Sequence, residues 1–247
     1  MGMLYIFLYC LIKKKKFDNA IYLYTFAGIG AMIGAKILSL LQNIPEMIAA
    51  FQDPNMSFFQ VFMAFMRGGF VFYGGLIGAV IAYFLAARFF NYDPYEYLPA
   101  IAPALPLMHG ISRIGCHLVG CCYGIETTSS ICVVYTDSIS APNGVPLVPV
   151  QLFEVVLEFC IFIMIVILSA FPKNNRKLLD FYFLAYGLGR FILEFFRGDA
   201  ARKIYGPLST SQWISIALWI VAISHLIYIK KKDAKGSKET SGEDMQD

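Results

Sequence analysis

The chain has 247 residues, 58% of them hydrophobic and only 15% charged, with a formal net charge of +3. Soluble domains sit at roughly 45–50% apolar (glycine included) and 25% charged, so this balance excludes an ordinary soluble protein and points to an integral membrane protein. The small positive excess is scattered over loops without a concentrated stripe, which excludes a nucleic-acid surface.

A helix needs about 20 apolar residues to cross a hydrocarbon core of about 30 Å. The opening "MGMLYIFLYCLI" has the right composition but stops after 12 residues at "KKKK". It reads as a short first span with a shortened N-terminus. It does not read as a cleavable signal peptide, because its positive charges follow the apolar run. Six longer spans are predicted at 20–41, 71–90, 99–118, 150–171, 178–196 and 210–229. Between the first two of these, residues 42–67 alternate apolar and polar side chains around Pro45 and Pro54, predicting one or two amphipathic arm helices along the outer interface. Residues 121–149, with "ETTSS", "TDS" and "APNGVP", predict an extracytoplasmic head loop with short strands or turns around "SICVVYT". Residues 197–209 form a third outer loop, a basic one, and residues 230–247 a polar tail expected to be disordered and cytoplasmic.

Lys and Arg collect in short cytoplasmic loops. With the N-terminus outside, 13 basic residues fall in inner segments and only 4, Arg67, Arg197, Arg202 and Lys203, in outer ones. The expected architecture is therefore all-α and polytopic. It has seven transmembrane helices, the N-terminus out and the C-terminus in, with residues 1–229 as a single transmembrane domain.

Charged residues at membrane depth cost about 2.5–3.5 kcal/mol each on insertion scales, so those that remain face a cavity or a partner. Arg113, Arg190, Glu154, Glu158, Glu194 and Lys36 all fall within or at the ends of spans and are expected to converge. Helical spacing puts His109, Arg113, Cys116, His117 and Gly120 on one face, Tyr186, Arg190, Glu194 and Arg197 on a second, and Gln151, Glu154 and Glu158 on a third. One reading is structural: Arg190 pairs with Glu194, and Glu154 with Arg113. The other takes the two guanidiniums as a phosphate clamp for an anionic phospholipid headgroup. The glycines of "FAGIGAMIGAK" and "GGFVFYGGLIGA" suit close helix packing, or the approach of a lipid to the backbone.

These residues fall in four ordered blocks that resemble the prolipoprotein diacylglyceryl transferases of bacterial plasma membranes. "GGFVFYGGLIGA" is similar to the family's Gly-rich block, "GISRIGCHLVGCCYG" to its "GxGRxGNFxNxExxG", "VPVQLFE" to its "HPSQLYE", and "YGLGRFILEFFR" to its "YGxxRxxxEFFR". The resemblance implies transfer of a diacylglyceryl group from phosphatidylglycerol to the lipobox cysteine thiol of a prolipoprotein signal peptide, releasing glycerol phosphate. It implies that Arg113 and Arg190 hold the phosphate region, with Tyr186, Glu194, Gln151, Glu154, Gly74, Gly75 and His109 on the substrate. No metal or organic cofactor is required by that chemistry, and a monomer among membrane lipids is expected.

Three positions depart from the pattern and are expected at the chemistry with the arginines: Tyr73 stands where the family commonly has His, Cys116 where it has Asn, and Cys121 where it has Glu, followed by Cys122. Tyrosine, with an unperturbed pKa near 10, is a poor base at neutral pH, whereas a thiol can still become an anion. The sulfur has several readings: a metal site of Cys116, Cys121, Cys122 and Cys132 with His117, a redox pair, plain burial, or direct participation. The replacements also leave open a paralogue with another acceptor, or an anionic-lipid binding or transport protein that does not cleave its lipid.

Overall fold

The computed structural model describes residues 1–54, 56–199 and 204–243. Asn55 of the arm region, residues 200–203 with Arg202 and Lys203 of the third outer loop, and tail residues 244–247 lie outside the described residues. The chain forms two compact units, one of Ile6–Tyr97 and one of Met1–Tyr5 with Leu98 onward.

The Ile6–Tyr97 unit holds most of α1 (Gly2–Lys13), then α2 (Phe17–Gln42), α3 (Ile44–Gln52), α4 (Phe58–Arg67) and α5 (Phe72–Phe89). Its spine is the α2–α5 pair, whose backbones touch. A Cβ at Gly34 would collide with the Gly74 carbonyl, and one at Gly78 with the Gly30 carbonyl. In lipid there is little hydrophobic gain from joining helices, so this close approach supplies the packing that holds them. An apolar groove of about 470 Å³ runs beside the contact, lined among others by Ile33, Ile37, Leu41, Ile77 and Leu85.

The arm region folds as two helices, α3 ending at Gln52 and α4 beginning at Phe58. Ser57 and Gln60 close a capping box at the start of α4: the Gln60 N–H donates to Ser57 Oγ (3.3 Å) and the Ser57 N–H to Gln60 Oε1 (3.0 Å). Lys36, expected among the intramembrane charges, is bonded within its own unit. Its ammonium donates to the carbonyls of Phe65 and Gly68 (2.5 Å each) and lies 5.3 Å from the Phe70 ring centre. The last carbonyls of a helix lack intrahelical partners and carry its negative pole, so a nearby ammonium is drawn to them.

The other unit takes in the end of α6 (Pro94–Ile101), then α7 (Ala104–Val119), α8 (Val150–Ser169), α9 (Leu178–Leu193) and α10 (Thr210–Glu243). The helix α8 packs against both α7 and α9, and α9 against α10. The head loop carries an antiparallel pair, β1 (Val133–Val134) with β2 (Pro146–Leu147), and a second pair, β3 (Ile204–Tyr205) with β4 (Leu208–Ser209), precedes α10.

The stretch 99–118 is not one helix: it breaks at residues 102–103, between α6 and α7. Pro103 has no N–H to give the carbonyl four residues back, and its ring crowds that turn. At the other end of the chain, α10 continues to Glu243, into the tail expected to be disordered. Extending a formed helix through Lys, Ala and Glu is far easier than starting one. Among the described residues, four helical stretches are long and apolar enough to cross a membrane: α2, α5, α8 and Thr210–Ala234 of α10.

Candidate active site

Three facing helices, α7, α8 and α9, bring their polar stripes to one buried cluster. Glu154 on α8 forms an ion pair with both arginines: its Oε2 lies 2.8 Å from Arg113 Nε, and its Oε1 accepts from Arg190 Nη1 (2.5 Å). Arg190 also reaches Glu194 Oε2 (2.6 Å), one turn on, and donates from Nη2 to Ser211 Oγ on α10 (3.3 Å). Arg113 Nε further donates to His109 Nε2 (3.2 Å), which leaves the ring proton on Nδ1, 2.5 Å from Glu158 Oε1. All six of these charged or ionisable side chains are nearly closed to solvent.

The contacts of Arg113 with Glu154 and His109 are both made at Nε. Tyr186 borders the cluster, stacked on Tyr182 at 5.7 Å between ring centres and edge-on to the His109 ring at 5.3 Å. The ion-pairing expected from the spacing is thus present in full. Because two guanidiniums meet one carboxylate, it is a chain of charges and not a set of isolated pairs.

The sulfur sits one turn further along α7, and the way that helix ends explains why. Gly120 takes φ +77°, its N–H donating to the carbonyls of Cys116 (3.0 Å) and His117 (3.3 Å), while the Cys121 N–H donates to Cys116 O (3.1 Å). This is a Schellman closure, which only a residue without a Cβ adopts freely. It folds Cys121 back over Cys116, and Cys122, itself at φ +56°, follows. The Sγ atoms of Cys116, Cys121 and Cys122 all lie within 4.8 Å of one another. Cys132 is exposed and His117 Nδ1 is 3.2 Å from Tyr135 Oη; neither belongs to that cluster.

A backbone ladder holds the loop after the thiols. The Ile125 N–H donates to Phe196 O (2.9 Å) and the Gly198 N–H to Tyr123 O (3.0 Å), so closely that a Cβ on Gly198 would stand 2.7 Å from Gly124 O. Arg197 grips Asp199 with two bonds, Nε to Oδ1 (2.7 Å) and Nη2 to Oδ2 (2.6 Å). Burial works against the Arg197 charge, but the Asp199 carboxylate outweighs it and raises the guanidinium pKa. A hydrogen bond from the Cys116 thiol lowers the pKa of Cys122; burial opposes that shift, and the charges of Arg197 and Arg113 reinforce it. Gln151, fully buried, donates from Nε2 to Cys121 O (2.8 Å) and to Tyr135 Oη (3.3 Å), tying the head loop to α8.

The structure therefore joins Arg113, Arg190, Glu154, Glu158, Glu194, His109 and Tyr186, with Gln151 linked through Cys121. Tyr73, Gly74 and Gly75 belong to the Ile6–Tyr97 unit: Tyr73 is buried near the start of α5, Gly74 faces Gly34 across the α2 contact, and Gly75 approaches Ala31. Ser211, Tyr135 and Tyr182 were not anticipated. Ser211 had a signal in "STSQ", where the Ser209 N–H donates to Gln212 Oε1 (2.9 Å) and the Gln212 N–H to Ser209 Oγ (3.3 Å), the S-x-x-Q start of α10. Asp180 and His225, 2.8 Å apart on α9 and α10, form another unanticipated pair.

Apolar helices long enough to span a bilayer, with a buried guanidinium–carboxylate chain beside a thiol cluster, define a polytopic membrane protein with an internal polar site. The chain matches the family model of prolipoprotein diacylglyceryl transferase over residues 1–228. It is 38% identical over 228 residues to phosphatidylglycerol–prolipoprotein diacylglyceryl transferase 2 of Clostridium perfringens, covering 92% of this chain and 83% of that protein. It is 32% identical over 214 residues to the Clostridium tetani transferase (85% and 82% covered) and 33% identical over 221 residues to that of Francisella tularensis subsp. mediasiatica (87% and 77% covered). The chain belongs to the prolipoprotein diacylglyceryl transferase family.

Proposed function

We propose that this chain transfers the diacylglyceryl group of phosphatidylglycerol to the lipobox cysteine of prolipoproteins. The observation that carries the reading is the meeting of Arg113 and Arg190 on Glu154 in a buried site, together with membership of the family. In the reaction the lipobox sulfur attacks the glycerol carbon and the carbon–oxygen bond breaks. The bonding pair leaves on glycerol phosphate, and the thiol proton passes to a base. Charge grows on the phosphate as the bond breaks, so arginines that hold it more tightly at that stage lower the barrier.

In this reading the Nη fork of Arg113 and the guanidinium of Arg190 hold the phosphate. Glu154, Glu194 and His109 position them, and Tyr186 and Gln151 line the headgroup. Tyr73, Cys116 and Cys121 occupy the positions where the family keeps its other polar groups, with Gly74 and Gly75 beside the lipid. The apolar groove along α2 and α5 has the character that acyl chains require. The protein works as a monomer in the bacterial plasma membrane, residues 1–229 forming one transmembrane domain. It has seven spans, N-terminus out and C-terminus in, with α3 and α4 as interfacial arms and residues 121–149 as an extracytoplasmic head.

The test is direct: purified protein is incubated with phosphatidylglycerol vesicles and a lipobox peptide, and the peptide is weighed by mass spectrometry while glycerol phosphate is assayed. A diacylglyceryl thioether on the peptide, lost in R113A and in R190A, is the expected result. Lipid binding without released glycerol phosphate would replace this reading with that of a non-catalytic lipid carrier, and full activity in both variants would remove the arginine mechanism.

A further inference from the structure

We propose that Cys116, Cys121 and Cys122 form a binding site for a thiophilic d10 metal ion of the Zn(II) type, held by three sulfurs at the C-terminal end of α7. Their Sγ atoms already lie within 4.8 Å of one another. Tetrahedral zinc with metal–sulfur bonds of about 2.3 Å sets its sulfurs about 3.8 Å apart. Closing the site therefore asks for movements of about 1 Å or less.

Two backbone devices gather the thiols. The Schellman closure at Gly120 sets Cys121 against Cys116, and Cys122 then takes a left-handed conformation that costs a non-glycine residue roughly 1–2 kcal/mol. Strain of that kind persists where the surroundings enforce it, and here it keeps the third sulfur with the other two. All three cysteines are unbridged and only partly buried, so an ion can reach them without unfolding the loop.

Thiolate sulfur selects ions such as Zn(II) over Mg(II) or Ca(II). Three protein ligands leave one tetrahedral position open, the pattern of zinc sites that bind an exchangeable ligand. Among the described residues, His117 is 3.2 Å from the Tyr135 hydroxyl and Cys132 lies outside the cluster, so neither fills it. The inference concerns metal binding alone and stands apart from the transfer reaction proposed above.

The experiment uses the full chain, reduced, freed of reductant and kept anaerobic in detergent. Cd(II) serves as an optical reporter through its ultraviolet thiolate charge-transfer band, and Zn(II) as its competitor. One Cd(II) per chain, displaced by Zn(II), is expected. C116S, C121S and C122S should each weaken binding by at least about 100-fold, the upper end of what losing an outer-shell partner costs. C132S and C160S should bind as the parent does. A footprint on the unaltered protein guards against misfolded variants: Zn(II) should shield Cys116, Cys121 and Cys122 together from maleimide, read by peptide mass spectrometry, while Cys132 and Cys160 react as before. Absence of both the band and the shielding in the parent protein, or binding that survives replacement of all three cysteines, overturns the proposal.

Discussion

Glu154 stands between Arg113 and Arg190, one carboxylate oxygen 2.8 Å from the first and the other 2.5 Å from the second. A buried charge that loses its partner is expensive, commonly by about 3–5 kcal/mol. E154A should therefore destabilise the protein by about that much, measured as unfolding in detergent, while E154Q, which keeps the shape and two polar atoms, should cost less. Wild-type stability in E154A would mean the arginines are neutralised elsewhere.

Arg190 touches Glu154, Glu194 and Ser211 at once, which only a planar fork can do. R190K should retain the charge yet lose transfer activity by about 100-fold or more, the scale set by removing a donor that stabilises a developing anion. Turnover of a lipobox peptide measures it, and a fully active R190K would show that charge alone suffices.

His109 links Arg113 to Glu158. E158A leaves the Nδ1–H of His109 facing an emptied, buried space and should cost about 1–3 kcal/mol, whereas E158Q can still accept that proton and should stay within about 1 kcal/mol of the parent. Equal losses in the two variants would count against a hydrogen-bonded link.

The α2–α5 contact separates two glycines on the same helix. G34L must push Leu into the Gly74 backbone and should destabilise by about 1–3 kcal/mol or more. A Cβ on Gly28 meets nothing within 4 Å, so G28A should be neutral or stabilising by up to about 1 kcal/mol, since alanine is the better helix former. Thermal unfolding of the pair reads the contrast.

The proposed topology places the head loop outside the cell. Cys132 is exposed there, so an impermeant maleimide should label it in intact cells. Labelling seen only after the cells are opened would invert the orientation.

The polar stripes were legible in the sequence because helical periodicity makes residues three or four apart into neighbours, and this fixed Arg190 beside Glu194 and Arg113 beside His109. Periodicity does not say which helix faces which, so the sharing of Glu154 between two arginines required the fold. The partners found for Lys36 are backbone carbonyls at the end of α4, which no side-chain pattern reveals. Asp180 and His225 are single polar residues 45 positions apart on different helices, and nothing local connects them. The cysteines were visible as a cluster in sequence, but their convergence depends on the turn at Gly120. A glycine following a helix suggests such a turn without specifying that three sulfurs will meet beyond it.

If the arginines hold the phosphate as proposed, the balance of the guanidinium–carboxylate chain has a kinetic implication. At rest every positive group in it already has a negative mate, so an arriving phosphate is a substitute and not a first guest. Headgroup affinity is then the small difference between two similar attractions, which favours loose holding of the starting lipid. In the proposed reading, Glu154 and Glu194 would be at hand to reclaim the arginines when the phosphate departs with its extra charge, so that the same carboxylates that keep the empty site intact would also help to clear it for the next turnover.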